Sequence, residues 1–184
     1  MKKISMIVLT VLTFGMTSCD MDKMPYDAIP AEEALTTIVG FEEARAGIYS
    51  VYLGLTGGSY VLAPEVQADA FNAVADFSNK YGELHRWTFE STNSTVETIW
   101  ANCYAAIGRA NFFIDGVGKI DENPEIELTE IQKQQINVYE GEAYFTRAYC
   151  YFYLATLFCR DYDVATAANT PGLPLQVKYE PKLA

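Results

Sequence analysis

The sequence has a single histidine, His85, and no cysteine pair in CxxC spacing. One histidine excludes the HExxH motif and every zinc site that needs two imidazoles. A Ser-His-Asp or Cys-His system could use only His85, and no G-x-S-x-G elbow precedes a helix. The glycine-rich run from Gly54 to Gly58 follows a helical pattern rather than a strand, which excludes P-loop and Rossmann sites. We therefore predict no metal, no cofactor and no catalytic residue.

Positive charge is also scarce. The chain has 13 Lys and Arg residues against 24 Asp and Glu residues, a formal net charge of −11. Such a surface repels the phosphates of nucleic acid, so nucleic-acid binding is not expected. One of the four cysteines lies at the N-terminal processing site described next, and the odd number that remains argues against a disulfide framework. Cys150 and Cys159 lie in an apolar helical stretch, where cysteine usually acts as a small hydrophobe.

The N-terminus has the three parts of a secretory signal: two lysines, an apolar run over residues 4–16, and small residues before Cys19. The apolar run is too short to cross a hydrocarbon core of about 30 Å as a helix. Small residues directly before a cysteine resemble the lipobox of bacterial lipoproteins, whose cysteine thiol receives a diacylglycerol. We therefore predict a signal peptide at residues 1–18, lipid attachment at Cys19 and a polar tether at residues 19–34.

Hydrophobic periodicity indicates helices in the first half of the body. Apolar residues recur at three- and four-residue steps from Phe41 to Leu55, and two glycines end this amphipathic helix. Pro64 is suited to the first turn of a short second helix. From Asp76 to Asn93 the chain is polar and punctuated by aromatics, which predicts a long ordered loop, and such loops are commonly functional.

Two longer helices follow, each after a capping box. Ser94 with Glu97 has the form of the first box, and Thr129 with Gln132 the form of the second. The first helix should end at glycines 116 and 118, and the second should run to about Arg160. Its part from residue 143 to 159 is apolar almost all round, as in a helix buried on several faces. No strand pattern is present, so we predict an all-α body over residues 35–184.

The polar loop has the composition of a glycan site. Sugar rings present C–H faces that stack on aromatic rings, and their hydroxyls need amide and carboxylate partners. The residues that supply this mixture, and that we predict to bind ligand, are Asn72, Tyr81, Trp87 and Asn93. The alternative for each is that it only fixes the loop to the core. Asp69 and Asp76 border the loop and are the candidates for a hydrolytic carboxylate pair, although no further feature marks them as one.

Arg147 is the only charge in the apolar stretch and must be paired there, because an isolated buried charge is too costly. Glu140 or Asp69 is the expected partner. We assign Arg147, together with Asp69, Trp100 and Asn111, a structural role.

Residues Gly141 to Leu154 of the second long helix contain a GEA motif and an RA-aromatic-YF-L pattern, and Gly172-Leu173-Pro174-Leu175 supplies a later proline-leucine pair. This combination resembles the signature helix of the SusD/RagB family of outer-membrane lipoproteins. Further matches to the family are Trp100-x3-Tyr104-x2-Ile107-x2-Ala110-Asn111, the Phe41–Tyr52 helix and Glu65-x3-Asp69. Cys159-Arg160 departs from the Tyr-Gly that is common there.

The resemblance implies an all-α scaffold of tetratricopeptide-like (TPR-like) helical hairpins. It also implies a lipid-anchored protein on the surface of the outer membrane, which binds oligosaccharides or other nutrients without catalysis. Such proteins deliver their ligand to a SusC-like TonB-dependent transporter as part of a polysaccharide utilization system. Family members are about three times longer, so this chain is expected to be an N-terminal portion with uncovered faces on its signature helix.

Two other functions are compatible with the same residues. The chain could be a structural or interaction fragment of a helical lipoprotein with no ligand site of its own. It could also be a lipid-anchored glycoside hydrolase that uses Asp69 and Asp76.

Overall fold

A computed structural model describes residues 29–74 and 80–180. The described ranges contain helices and no strand, which confirms the all-α prediction. Residues 1–18, Cys19 and Asp76 lie outside them. The helices are α1 (Ala31–Ala34), α2 (Ile38–Leu55), α3 (Ser59–Gln67), α4 (Gly82–His85), α5 (Ser94–Gly118) and α6 (Glu130–Phe158), with a 3₁₀ turn at Ala167–Asn169.

Helices α2, α5 and α6 form the centre of the body around two apolar clusters. In one, the rings of Phe41 and Phe113 meet edge to face with centroids 5.5 Å apart, and Ile136 packs beside them. In the other, Cys103 near the start of α5 packs with Cys150 toward the end of α6. The start of one helix therefore lies beside the end of the other, and α5 and α6 form an antiparallel hairpin.

The cysteines of this hairpin serve as core residues. Cys103 and Cys150 are fully buried and unoxidised, and Cys159 is half-buried. A hydrogen bond with Cys103, together with burial, raises the pKa of the Cys150 thiol, so this thiol remains protonated. The prediction that Cys150 acts as a small hydrophobe is confirmed.

Residues of the predicted tether are part of the body. Ala31–Ala34 form a helical turn, and Leu35 after them is buried against α5. A β-carbon at Gly116 would overlap the side chain of Leu35, so this glycine allows the close approach. The tether as predicted over residues 19–34 is therefore too long at its C-terminal end.

The two long helices begin differently. The predicted box of α6 is confirmed: Thr129 Oγ1 accepts from the amide of Gln132 at 3.3 Å, and Gln132 Oε1 accepts from the amide of Thr129 at 2.8 Å. The capping box predicted at Ser94 is wrong, because the N-cap of α5 lies one residue earlier. Asn93 is the cap of α5, and its Oδ1 accepts from the amides of the second and third residues that follow, Thr95 at 3.0 Å and Val96 at 3.4 Å.

Helix α3 starts five residues before Pro64, so the prediction of a helix opening at this proline is wrong. Proline has no amide hydrogen, and inside a helix it leaves the carbonyl four residues earlier without a backbone donor. Here that carbonyl belongs to Tyr60, and the hydroxyl of Tyr153 on α6 donates to it. A tertiary hydrogen bond thus replaces the one that the proline removes.

Arg147 does not pair with Glu140 or Asp69, so the partner predicted for it is wrong. Its side chain is half-exposed rather than buried, and its Nη1 donates to Asn111 Oδ1 at 2.8 Å and to the carbonyl of Val177 at 3.3 Å. Among the described residues no carboxylate forms an ion pair with Arg147. A neutral amide suffices because the guanidinium still reaches water.

The extended segment at residues 173–179 lies against α5 and α6 and is held by side chains that bond its backbone. Asn111, 1% exposed, donates to the carbonyls of Gln176 at 2.9 Å and Lys178 at 3.2 Å. Further contacts are those of Tyr104 with Pro174 O, Tyr151 with Gln176 N and O, and Asp115 with Tyr179 N. The structural role assigned to Asn111 thus consists in joining this segment to the hairpin.

Only one side of α6 is covered. Ala143, Thr146, Cys150 and Leu154 are buried, whereas Phe145 and Phe152 are exposed. The uncovered faces that the family resemblance implies for this helix are present. The burial on several faces that the apolar sequence predicts is not found. No helix in the described ranges has the length and hydropathy needed to cross a membrane.

Candidate functional site

The candidate site is built on the segment between α3 and α5, which contains one helical turn. Gly82 and Leu84 of α4 are buried and fix this turn to the core. The predicted loop from Asp76 to Asn93 is therefore helical over four of its residues. Tyr81 before the turn and Trp87 after it both have left-handed backbones, with φ of 61° and 55°. Left-handed backbone is uncommon for large side chains and marks a fixed local shape.

Trp87 presents its indole to solvent in a fixed orientation. The side chain is 65% exposed, yet its Nε1 donates to the carbonyl of Gln67 at 3.2 Å. The ring of Phe89 lies beside it, with centroids 6.2 Å apart and planes inclined by 45°. One end of the indole is thus held by α3, and most of its surface is free to contact a ligand.

A polar hollow of about 450 Å³ is lined mainly by residues that follow Trp87 in the sequence. The residues that line this polar hollow carry hydroxyl, carboxylate or amide groups: Glu83, Thr88, Glu90, Thr92, Asn93 and Ser94. Asn93 Nδ2 donates to Glu83 Oε2 at 2.8 Å, and this bond orients the carboxylate. The Oδ1 of the same Asn93 side chain caps α5, so Asn93 joins the hollow rigidly to that helix.

The remaining predicted ligand residues lie apart from the polar hollow. Tyr81 is half-buried, packs against the core, and shares a hydrogen bond with Ser59 Oγ at 3.0 Å. Asn72 is exposed in the segment after α3. Neither residue lines the hollow. Of the predicted ligand residues, Asn93 lines the hollow and Trp87 directly precedes its lining residue Thr88 in the chain. Five hydroxyl and carboxylate side chains of the lining were missed by sequence reasoning.

His85 and Asp69 lie near each other at the end of α3. The Nδ1 of His85 is 3.2 Å from the carbonyl of Val66 and 3.7 Å from Asp69 Oδ1. A carbonyl can only accept, so Nδ1 carries the proton and the ring is tied to α3. Asp69 has a left-handed backbone with φ of 59°, and its side chain is 83% exposed. Within the described ranges no group of three or more His, Cys, Asp or Glu side chains could hold a metal ion.

Trp100, Asn111 and Arg147 are all parts of the α5–α6 hairpin. The ring of Trp100 contacts Tyr104 at 5.0 Å and Phe158 at 5.1 Å between centroids. These contacts pack the half-buried ring of Trp100 against the core at the end of the hairpin, in contrast to the exposed indole of Trp87.

Comparison with known proteins gives a consistent family assignment. The model of the SusD-like family described as "Starch-binding associating with outer membrane" matches residues 27–182. The chain is also similar to SusD-like protein P2 of Formosa agariphila, with 26% identity over 163 residues, which are 85% of this chain and 29% of that protein. The chain therefore spans less than a third of the length of that curated relative. No solved structure matches the chain significantly.

Proposed function

We propose that this chain, which belongs to the SusD-like family of starch-binding proteins that associate with the outer membrane, binds a neutral glycan at the cell surface through Trp87 and the polar hollow. The single observation that carries this proposal is the solvent-exposed, hydrogen-bonded indole of Trp87, whose chain neighbour Thr88 lines a hollow of hydroxyls and carboxylates.

The two parts of the site supply complementary interactions with a sugar. The C–H face of a pyranose ring loses little on desolvation and packs on the indole, as apolar groups pack on aromatic faces. The carboxylates of Glu83 and Glu90 accept hydrogen bonds from sugar hydroxyls, and bonds to an ionised acceptor are the stronger kind. The fixed orientation of Trp87 reduces the entropy lost on binding.

The charge of the hollow favours uncharged glycans. Two carboxylates line it and no basic residue does, on a chain of net charge −11. Sulfate or uronate groups would meet like charge there, which disfavours binding. We therefore propose neutral glucans, the ligand class named in the family description, over anionic polysaccharides.

The next steps of the proposed function are anchoring and delivery. A lipid on Cys19 would hold the protein on the outer membrane, and a SusC-like TonB-dependent transporter would receive the glycan unchanged, without catalysis. The lipobox-like sequence at residue 19 and the family description support this proposal. Palmitate labelling that is lost in Cys19→Ala tests the anchor. Co-purification of a TonB-dependent transporter from membranes tests the partner, and an unaltered glycan after long incubation tests the absence of catalysis.

Affinity electrophoresis tests the binding site. In gels that contain soluble starch, the wild-type chain should be retarded and Trp87→Ala should migrate as in a gel without polysaccharide. Trp87→Phe keeps a stacking face and should be partly retarded. Tyr162→Ala, which removes another exposed aromatic that does not line the hollow, is the matched control and should behave as wild type. Equal retardation of Trp87→Ala and wild type would exclude this site.

A further inference from the structure

Helix α3 ends with Asp69 in the left-handed conformation, with φ of 59°. The amide of Ala70 donates to the carbonyl of Glu65 at 2.9 Å. The amide of Asp69 donates to the carbonyl of Val66 at 3.4 Å. These two bonds are those of a Schellman motif, which satisfies carbonyls that the end of a helix leaves without donors. The next carbonyl, that of Gln67, lies beyond the motif and takes its donor from another part of the chain.

Helix α4 ends with the same motif, but its left-handed residue is a tryptophan. The amide of Thr88 donates to the carbonyl of Glu83 at 3.0 Å. The amide of Trp87 donates to the carbonyl of Leu84 at 3.1 Å. Glycine is usual at this position, because a β-carbon makes left-handed backbone costly. The fold accepts this cost at Trp87 and thereby places an indole directly after α4.

Two ring N–H groups from the end of α4 bond consecutive carbonyls at the end of α3. The Nδ1 of His85 donates to the carbonyl of Val66 at 3.2 Å. The Nε1 of Trp87 donates to the carbonyl of Gln67, also at 3.2 Å. The side chain of His85 is only 24% exposed, whereas Trp87 is 65% exposed, so the histidine bond is the better shielded from water.

We propose that His85 is a positioning residue of the glycan site, because its hydrogen bond to the carbonyl of Val66 sets the direction in which the indole of Trp87 points. The proposal rests on the function proposed above, since the direction of the indole matters to a ligand only if the ring binds it. His85 does not line the polar hollow, and its role requires no contact with a sugar. It acts on Trp87 through the end of α3.

The bond of the indole is too weak to fix its direction alone. A hydrogen bond between an exposed N–H and a carbonyl competes with water and contributes little net stability. Helix α4 has four residues, far fewer than a helix needs to persist by itself, and Leu84 is its one large buried side chain. The bond of His85 is a second attachment, two residues before Trp87 and on the neighbouring carbonyl of α3. With both attachments the turn resists rotation about Leu84, and the indole keeps its direction.

Two substitutions separate the hydrogen bond of His85 from the packing of its ring. His85→Phe keeps an aromatic ring of similar size and removes the N–H donor. His85→Asn removes the ring, and its Nδ2 can donate from nearly the position of the histidine Nδ1. Gln67→Ala is the matched control, because Trp87 bonds the backbone carbonyl of residue 67 and not its side chain.

The first measurement is the exchange of the Trp87 indole N–H with water, followed by NMR on ¹⁵N-labelled protein. Exchange should become about three- to tenfold faster in His85→Phe, as expected for the loss of one hydrogen bond, and return toward the wild-type rate in His85→Asn. Gln67→Ala should exchange as wild type. The indole N–H of Trp100, which packs in the α5–α6 hairpin, should be unchanged in every variant and shows that the fold is intact.

The second measurement is the affinity for soluble starch, obtained from retardation in gels of increasing starch content. The dissociation constant should rise about three- to tenfold in His85→Phe. It should stay within about twofold of wild type in His85→Asn and in Gln67→Ala. Recovery in His85→Asn assigns the effect to the hydrogen bond, since that variant lacks the ring.

The two measurements distinguish failure of this proposal from failure of the proposed function. Wild-type exchange of the Trp87 N–H in His85→Phe would overturn the positioning role, whether or not the protein binds starch. Faster exchange without weaker binding would overturn it as well, and so would equal losses in His85→Phe and His85→Asn. A wild-type protein that migrates unretarded would refute the proposed function and, with it, a role of His85 in binding.

Discussion

The Nη1 of Arg147 lies 2.8 Å from the Oδ1 of Asn111, and the Nδ2 of the same amide donates to the carbonyls of Gln176 and Lys178. One buried asparagine therefore joins α5, α6 and the 173–179 segment. Asn111→Ala should destabilise the fold by about 2–3 kcal/mol, because it removes three hydrogen bonds, two of which join the 173–179 segment to the hairpin. Urea unfolding measures this change.

The same variant should release the segment. Hydrogen exchange at the amides of Gln176 and Tyr179, which bond side chains of the hairpin, should become faster than in wild type. The control is Asn137→Ala on the exposed face of α6, which should change neither quantity. Unchanged exchange in Asn111→Ala would show that the segment is held without this amide.

A second prediction concerns Tyr153, whose hydroxyl donates to the carbonyl that Pro64 leaves without a backbone donor. Tyr153→Phe should destabilise the chain by about 1–2 kcal/mol, since the carbonyl of Tyr60 then has no donor. In a Pro64→Ala background the restored amide can bond this carbonyl, and the effect of Tyr153→Phe should shrink to a few tenths of a kcal/mol. Equal effects in both backgrounds would disprove the link.

A third prediction concerns pH. The hydrogen bond from Arg45 lowers the pKa of Glu142, so the ion pair stabilises the fold above the unfolded pKa of about 4.3 and is lost as pH falls through the lower folded value. Both side chains are partly exposed, and the contribution at neutral pH should be only about 0.5–1 kcal/mol. Glu142→Gln should lose this amount near pH 7 and approach wild type near pH 3. The exposed Glu125→Gln should show no such convergence.

Much of the fold follows from the sequence because long helices carry repeated local signals. The stripe from Trp100 onward and the box at Thr129 locate α5 and α6 to within a few residues. Pro64 misled the prediction of α3, because the compensating hydroxyl of Tyr153 comes from a residue far away in sequence. The partners of Arg147 were also missed, because a neutral amide on another helix and a backbone carbonyl produce no recognisable charge pattern in the sequence.

The candidate site was harder to predict than the fold. Composition indicated the segment and selected Asn93, which lines the hollow, and Trp87, which is exposed and precedes the lining residue Thr88. Glu83, Glu90 and Thr92 were missed because single polar residues in a loop carry no periodic signal. Tyr81 was selected for its ring, but the left-handed backbone at that position turns the side chain toward Ser59 and the core.

The most direct test of glycan binding uses the fact that the chain has two tryptophans. The ¹⁵N-labelled protein should give two indole N–H cross-peaks, one from exposed Trp87 and one from half-buried Trp100. Addition of a maltooligosaccharide should shift the Trp87 peak saturably and leave the Trp100 peak in place as an internal control. A Trp87 peak that stays fixed while the protein binds starch in the gel would contradict the proposed site.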